Sequence, residues 1–264
     1  MKKIITVFIV FTFIAFNSCK TPKDKTETHT KEHATHWSYN GETAPVHWVE
    51  IEKNSDCNGN KQSPINIIDI DAKPTQQKVN PLNILYTPST ELKQVINNGH
   101  SIQFDFEAGD SIQYHGNTYY LSQLHFHEPS EHTIDGIRYP LEIHMVHKSK
   151  FDTYTVMSIL AKEGVKSQLF EFFESFLPIK VNTKKEIHQS SDLATLFPEN
   201  KNFYTYGGSL TTPPCTETVN WIVFKDPIII SVDEVLKLKS NMPMDNFRNE
   251  QALNNRVVSL NSYN

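Results

Sequence analysis

The sequence predicts a mainly β protein, a single domain built on a large twisted, mostly antiparallel β-sheet with a few peripheral helices. The clearest strand is "HSIQFDF" at 100–106, in which Ile102, Phe104 and Phe106 alternate with other residues and share one face. Other segments rich in β-branched and aromatic residues are also predicted as strands: 117–127, 139–147, 154–161 and 219–230.

Two segments favour helices instead. The stretch "SQLFEFFESFL" at 167–177 places its large apolar residues at helical spacing. In "SVDEVLKLK" at 231–239, Ser231 and Glu234 stand in the spacing of a capping box. Because strand candidates outnumber these two segments, we expect the helices to lie at the periphery of the sheet.

The bulk composition favours a globular protein and excludes one class of partner. Of the 264 residues, 38% are hydrophobic and 21% are charged, as in ordinary globular domains. The formal net charge is -5, so the chain lacks the basic excess that attracts nucleic acids. We therefore expect no nucleic-acid partner.

The N-terminus has the features of an export signal. A basic start precedes an apolar run at 4–16, which is too short to span a bilayer, so residues 1–18 are predicted to be a signal peptide. Cys19 follows a small residue and is a candidate for lipidation, as in bacterial lipoproteins. Residues 16 and 17 depart from the usual lipoprotein pattern, which leaves an ordinary cleaved signal peptide as the alternative.

A polar segment at 19–35 separates this signal from the domain at 36–264. It is rich in Lys, Thr, Glu and His and has almost nothing to bury, so it is predicted to be a flexible tether. Together the two segments predict an exported protein, either periplasmic or held at the outer membrane or cell surface. Contact with the membrane is then made only through a lipid anchor. The sequence gives no oligomeric state.

The three cysteines, Cys19, Cys57 and Cys215, agree with export. If lipid modifies Cys19, the other two can pair in an oxidising compartment. Such a bridge closes a long loop and thereby stabilises the folded domain by roughly 4–5 kcal/mol in the chain-entropy model. Two buried free thiols are the alternative.

Histidines are concentrated in "LHFHEPSEH" at 124–132 and in "EIHMVH" shortly after it. On a strand, His125 and His127 share a face, with attachment points about 6.6 Å apart, a span that two imidazoles can close onto one ion. A neighbouring strand offers either His144 or His147 as a third ligand, and these two face opposite ways.

The neighbouring residues choose between them. A ligating histidine needs its other ring nitrogen held by a hydrogen-bond acceptor, and Glu142 shares a face with His144. By the same reasoning, Gln123 can hold His125. The predicted ligands are therefore His125, His127 and His144, whereas His132 and His147 are predicted to be structural hydrogen-bonding residues. Three neutral histidines with one open position describe a catalytic Zn²⁺ site, and a polar strand face is the alternative.

Several long motifs, in the same order, resemble the α-class carbonic anhydrases from about residue 36 to residue 260. The "HEP" that follows the zinc-ligand pair is similar to the bacterial, exported branch. The motifs are "HWSYNG", "CNGNKQSPINI", "NNGHSIQF", "QLHFHEPSEHTIDG", "LEIHMVH", "GGSLTTPPCTETVNW" and "NNRVV".

The resemblance implies the α-carbonic anhydrase fold and the reversible hydration of CO₂ to bicarbonate and a proton. In that family a zinc-bound hydroxide attacks CO₂, and a histidine shuttles the proton away. The resemblance assigns Thr211 and Glu131 to the orientation of the hydroxide and His100 to the proton shuttle. Without it, Thr211 is a turn residue, Glu131 a surface charge and His100 a solvent-facing histidine.

The resemblance also implies a substrate site and a disulfide. Thr212 matches a residue beside bound bicarbonate, and Cys57 with Cys215 matches the disulfide of exported members. The apolar wall that receives CO₂ corresponds to Val146, Val156, Leu210, Val219 and Trp221.

Two other functions are compatible with the same residues. One is a non-catalytic zinc-binding surface lipoprotein on the same fold, which the presence of Glu131 and Thr211 beside the complete set of predicted zinc ligands disfavours. The other is metal capture by the tether, through His29 and His33. The tether hypothesis predicts that deletion of residues 20–35 abolishes metal binding.

Overall fold

The computed structural model describes residues 36–75, 81–242 and 245–263. These residues belong to one compact unit, Thr35–Asn264. The predicted signal peptide (residues 1–18) and the whole predicted tether (residues 19–35, including Cys19) lie outside the described residues. Within the described part of the chain, no helix is long and apolar enough to cross a membrane.

A 13-stranded sheet dominates the unit, and a 3-stranded sheet accompanies it. The strands are β1 (Asn66–Ile67), β2 (Lys73–Pro74), β3 (Leu82–Leu85), β4 (Thr90–Asn97), β5 (Ile102–Phe106), β6 (Ser111–Tyr114), β7 (Asn117–His127), β8 (Thr133–Ile134), β9 (Ile137–Arg138), β10 (Leu141–Lys148), β11 (Tyr154–Glu163), β12 (Thr183–Ser191), β13 (Phe203–Gly208), β14 (Val219–Phe224), β15 (Ile228–Ile230) and β16 (Ser259–Asn261). The α-helices are α1 (Trp48–Ile51), α2 (Gln168–Glu174) and α3 (Val232–Lys239). Short 3₁₀ helices cover Gly41–Thr43, Pro45–His47, Asp69–Asp71 and Leu193–Leu196.

The main path through the large sheet runs β12-β4-β5-β7-β10-β11-β14-β13-β16-β2. Most neighbours are antiparallel, which confirms the predicted fold class. The exceptions in this sheet are β11, which runs parallel to both β14 and β15, and β16, which runs parallel to β2. The small sheet consists of β1, β8 and β9.

The prediction of one strand at 219–230 is wrong, because the segment forms two strands, β14 and β15. Pro227 lies in the break between them and has no N–H to donate to a sheet neighbour. The chain resumes its pairing with β11 two residues out of step with its earlier register.

Both predicted helices are present. In α3, the Ser231 hydroxyl accepts a hydrogen bond from the Glu234 N–H, and the Glu234 carboxylate accepts one from the Ser231 N–H, which confirms the capping box. The helix predicted at 167–177 ends earlier, at Glu174. Pro178 disfavours helical geometry in Leu177, and the last residues before it form tighter turns, in which the N–H of Phe176 donates to Phe173 and the N–H of Leu177 donates to Glu174.

Two apolar clusters lie against the large sheet. The larger cluster includes Phe104 and Phe126 of the strands, Phe173 of α2 and Leu238 of α3. A smaller cluster forms around Trp221, with Val146 of β10, Val156 and Leu160 of β11, and Val219 and Val223 of β14. Consequently the first seven residues of β10 are all buried, because both of its faces are covered.

Cys57 and Cys215 form a disulfide across a sequence separation of 158 residues, which confirms the predicted pairing. The bridge packs with Trp37 and Trp48 in a cluster of its own. It ties the N-terminal segment of the described domain to the loop between β13 and β14.

Candidate metal centre and active site

Strand register brings the predicted ligands together. His125 of β7 lies opposite His144 of β10, and His144 lies opposite Ser158 of β11. Because alternate residues of a strand share a face, His127 and Glu142 extend the same surface by one further pair. The sheet therefore places three imidazoles and one carboxylate on a single face.

Hydrogen bonds fix the tautomers of the first two imidazoles. Nδ1 of His125 lies 2.8 Å from Oε1 of Gln123. Nδ1 of His127 lies 2.6 Å from the backbone oxygen of Asn246. Both partner oxygens only accept, so Nδ1 donates in each ring. In the neutral rings, Nε2 therefore carries a free lone pair.

His144 has the opposite tautomer. Its Nε2 lies 2.7 Å from Oε1 of Glu142, so Nε2 donates and Nδ1 carries the lone pair. Glu142 is itself fully buried and also accepts from the His132 ring, the Ser158 hydroxyl and the backbone N–H groups of Glu131 and His132. Burial acts to raise the pKa of Glu142, but attraction and hydrogen bonds from His132 and His144 hold that pKa well below its usual range.

The three available nitrogens converge. One nitrogen from each of His125, His127 and His144 lies within 4.8 Å of the other two. Burial lowers the pKa of all three rings, for His127 to about 4, so each imidazole is neutral near pH 7. Neutral imidazole nitrogens at this spacing are the donor set that Zn²⁺ prefers.

The buried polar atoms at this point also fit a cation. Nε2 of His127 and Oε2 of Glu131 are 3.5 Å apart, and neither has a hydrogen-bond partner of good geometry among the described residues. Two electron-rich atoms that face each other without a proton repel, and a bound cation removes that cost. The residues present therefore fit a zinc ion.

A second group of ligand atoms, from His132, Glu142 and His144, is less suited to a metal. His132 donates or accepts at both ring nitrogens, since Nδ1 lies 2.7 Å from Glu142 and Nε2 lies 2.6 Å from the hydroxyl of Tyr206. Because His132 and Glu142 already have hydrogen-bond partners, they serve to hold the neighbouring predicted metal ligand, His144, in place. His132 thus has the hydrogen-bonded environment expected from the sequence.

His147 is also hydrogen-bonded within the fold, away from the metal centre. Its Nδ1 lies 2.9 Å from the backbone oxygen of Met145, and its Nε2 lies 2.6 Å from the hydroxyl of Tyr86. Burial lowers its pKa to about 4, so the ring is neutral near pH 7.

Glu131 is fully buried, and the expectation of a surface charge, made without the resemblance, is therefore wrong. Its Oε1 accepts a hydrogen bond of 2.9 Å from the backbone N–H of Arg248. Burial, with added repulsion from Glu142, raises the pKa of Glu131 to about 7, although His144, Thr211 and the Arg248 N–H oppose the rise. The Thr211 side chain is thus close enough to this carboxyl to oppose the rise in its pKa.

The loop that carries Thr211 follows β13 and is closed on itself. The N–H of Leu210 donates to the oxygen of Thr216, and the N–H of Cys215 donates to the oxygen of Thr212. Thr212 is partly exposed in this loop. The disulfide at Cys215 fixes the far end of the loop.

The predicted apolar wall forms one surface beside the histidines. Val146 pairs with Val156 across β10 and β11, and Val156 pairs with Trp221 across β11 and β14. The indole of Trp221 lies 4.9 Å from the ring of His144, measured between centroids. Val219 and Leu210 belong to the same apolar cluster. All five predicted residues are therefore contiguous.

His100 lies two residues before β5 and is partly exposed. Its ring stacks on Trp37, with 3.7 Å between centroids and 15° between planes. Its backbone N–H donates to Oδ1 of Asn98, and its oxygen accepts from the side chain of Asn246. The sequence expectation of a solvent-facing residue is thus met only in part.

Known proteins match this arrangement along almost the whole domain. A family model described as eukaryotic-type carbonic anhydrase matches residues 43–262. The carbonic anhydrase of Klebsiella pneumoniae is 38% identical over 231 residues, covering 85% of this chain and 91% of that protein. The carbonic anhydrase of Pectobacterium carotovorum is 34% identical over 227 residues, covering 85% of this chain and 91% of that protein.

Solved structures agree. The α-carbonic anhydrase from Thermovibrio ammonificans, in complex with the inhibitor sulfanilamide, superposes with a TM-score of 0.80 at 38% identity, over 85% of this chain and 98% of that chain. A hyperthermostable carbonic anhydrase from an active hydrothermal vent chimney superposes with a TM-score of 0.79 at 35% identity, over 86% of this chain and 100% of that chain. This chain belongs to the α-carbonic anhydrase family. The enzyme catalyses the reversible hydration of CO₂ to bicarbonate and a proton.

Three residues at the active site of this carbonic anhydrase were not predicted from the sequence. Asn246 and Arg248 lie in a loop after α3, and each contacts the site through its backbone. The Ser158 hydroxyl donates to Glu142 over 2.6 Å. Strand register could have identified Ser158, because it faces His144 across β10 and β11. The loop residues had no comparable signal.

Proposed function

We propose that the enzyme binds one zinc ion through Nε2 of His125, Nε2 of His127 and Nδ1 of His144. The observation that carries this proposal is the convergence of three ring nitrogens with free lone pairs. The lone pairs are free because a hydrogen bond fixes the tautomer of each ring. Dependence on zinc is general in this family, which supports the same choice. Gln123 and Glu142 act as the residues that orient His125 and His144.

When bound, zinc activates a water molecule as a nucleophile at neutral pH, an effect for which carbonic anhydrases are the standard example. The protein residues then orient the reactants. The Thr211 hydroxyl donates to Glu131, so its oxygen lone pair remains to accept a hydrogen bond from the attacking O–H group. This orders the nucleophile towards the apolar wall. The role requires Glu131 to be ionised, and a nearby metal cation lowers its pKa from about 7.

The apolar wall holds CO₂ beside the nucleophile. Val146, Val156, Val219 and Trp221 are all buried in the protein and offer no hydrogen bonds to compete with the reaction. The only polar group of the Trp221 side chain, its indole N–H, donates to the backbone oxygen of Ser209. CO₂ has no net charge or dipole, so it gains from an apolar surface, whereas bicarbonate is charged and leaves it. Thr212, at the edge of the wall, contacts the departing bicarbonate.

Turnover also requires the removal of one proton per cycle. We assign this step to His100, since an imidazole can accept and release a proton near neutral pH. Its partial exposure places it between the interior and solvent. Burial lowers the pKa of His100, which favours release of the proton once it has been accepted.

The location of the enzyme is a separate part of the proposal. The disulfide supports export, because such bonds persist in oxidising compartments. We propose residues 1–18 as the signal peptide, 19–35 as the tether and 36–264 as the catalytic domain. Cys19 is the proposed lipidation site, which anchors the enzyme in the periplasm or at the cell surface.

The test follows CO₂ hydration by stopped flow with full-length enzyme, before and after removal of metal and after addition of zinc. We expect activity to disappear with the metal and to return with one equivalent of zinc. The variant lacking residues 20–35 serves as a control and should retain one tight zinc and full activity. A folded, zinc-loaded enzyme without activity, or zinc binding lost with the tether, would contradict the proposal.

A further inference from the structure

A second histidine contacts the proposed shuttle. Nε2 of His36 lies 2.9 Å from Nε2 of His100, and the two ring centroids are 5.0 Å apart. The distance is that of an N–H···N hydrogen bond. One of the two nitrogens must therefore carry a hydrogen and the other must accept it.

This pair is suited to passing a proton. When His100 is protonated, both of its ring nitrogens carry hydrogen, and its Nε2–H points at the free lone pair of a neutral His36. Transfer along this bond moves the charge from one imidazole to the other without any change in the number of hydrogen bonds.

The two rings differ in exposure in the direction that release requires. His36 is exposed, whereas His100 is half-buried against Trp37. Burial and the adjacent His36 both disfavour the charge on His100. A proton on His100 therefore gains solvation by moving to His36.

The surroundings of the pair are neutral. Trp37 and Tyr39 face the His100 ring from the N-terminal segment, and the amide of Asn246 binds its backbone oxygen. Tyr39 is neutral because burial, with Glu131 nearby, raises the pKa of its hydroxyl well above the usual value. Among the described residues, no carboxylate forms an ion pair with either ring, so neither holds the proton by a salt bridge.

We propose that His36 is a second proton-transfer residue, which takes the proton from His100 and delivers it to buffer. The Nε2–H bond of protonated His100 breaks as an N–H bond forms at Nε2 of His36. Protonated His36 then gives one proton to a buffer base, which leaves both imidazoles neutral. The inference rests on the proposed shuttle role of His100.

The test compares His36→Ala with a matched control, His47→Ala, in the full-length zinc-loaded enzyme. His47 is a partly exposed histidine of the same segment that pairs with Glu50 instead. In dilute buffer, His36→Ala should lower kcat severalfold, because His100 then has to deliver its proton to buffer directly. It should leave kcat/KM unchanged, and added imidazole should restore kcat. His47→Ala should match the parent enzyme.

Two further variants separate this inference from the shuttle itself. His100→Ala should lower kcat at least about tenfold in dilute buffer. The double variant should be no slower than His100→Ala, because His36 acts only through His100. The relay would be overturned if the losses of the two single variants add in the double variant, or if His36→Ala lowers kcat/KM in parallel with kcat. It would also be overturned if His36→Ala leaves kcat unchanged while His100→Ala is slow. If His100→Ala is also unchanged, the proposed shuttle fails first.

Discussion

At the scale of single residues, Glu142 organises the metal centre. Its two oxygens accept hydrogen bonds from His144, His132, Ser158 and two backbone N–H groups. A carboxylate with this many donors stays ionised although it is fully buried. Its charge in turn keeps the hydrogen of His144 on Nε2 and the lone pair on Nδ1.

We therefore predict that Glu142→Gln weakens zinc binding by about 10- to 100-fold. Glutamine presents an N–H₂ group and a neutral oxygen, so it cannot accept from all five donors and polarises His144 less. Competition with a chromophoric chelator measures the affinity. Glu174→Gln is the matched control, since Glu174 is a buried carboxylate paired with Lys237 on the helical side of the sheet. Equal zinc affinity in both variants would contradict the role of Glu142.

Whether the sequence predicts a residue of the site depends on whether that residue contacts the site through its side chain or through its backbone. The contacts of Gln123 and Glu142 could be predicted, because their side chains share a strand face with the histidines they hold. Asn246 and Arg248 could not be predicted, since the oxygen and the N–H that bind His127 and Glu131 belong to the backbone. Any residue type supplies those groups, so no side-chain pattern marks them.

At the scale of elements, the carboxylate of Glu234 links the two main helices, in addition to the ion pair between Glu174 and Lys237. Glu234 caps its own helix through Ser231, and its Oε1 accepts from the backbone N–H of Ser167, which precedes α2. The sequence predicted the capping box but not the second contact, because the link between α2 and α3 depends on tertiary packing.

The hydrogen bond from the Ser167 N–H to Glu234 predicts that two variants differ in their free energy of unfolding. Ser231→Ala should lower the free energy of unfolding by about 1 kcal/mol, since it removes one cap. Glu234→Ala should cost more, because it leaves the N–H groups of Ser231 and Ser167 without their acceptor. Urea titration followed by circular dichroism measures both, with the neighbouring Asp233→Ala as control. A loss for Glu234→Ala no greater than that for Ser231→Ala would show that the contact with α2 contributes nothing.

The strands show the same division between local pattern and tertiary context. Alternation predicted β5 correctly, because each buried residue of that strand contributes its side chain to one apolar cluster. The pattern failed at 219–230, where apolar residues continue on both sides of Pro227 and conceal the break. The parallel pairing of β14 and β15 with β11 depends on contacts distant in sequence, which no local pattern specifies.

At the scale of the whole molecule, the disulfide connects stability with the active site. The backbone oxygen of Cys57 accepts from Arg248, and the oxygen of Cys215 accepts from Gln62. Arg248 also binds Glu131 through its backbone N–H. The bridge thus holds both the Thr211 loop and a neighbour of Glu131.

We predict that the double variant Cys57→Ser, Cys215→Ser lowers the free energy of unfolding by about 5 kcal/mol, from the loop that the bridge closes. Denaturant titration of the oxidised enzyme against this variant measures the change. Cys19→Ser, which leaves the bridge intact, is the control. A double variant as stable as the parent would mean that the bridge adds nothing to the domain.

The central claim is the position of the zinc ion, and anomalous diffraction at the zinc edge tests it most directly. Crystals of the zinc-loaded enzyme should show one strong peak in the domain, bounded by Nε2 of His125, Nε2 of His127 and Nδ1 of His144. A peak among His132, Glu142 and His144 instead, or none near these histidines, would contradict the proposed metal centre.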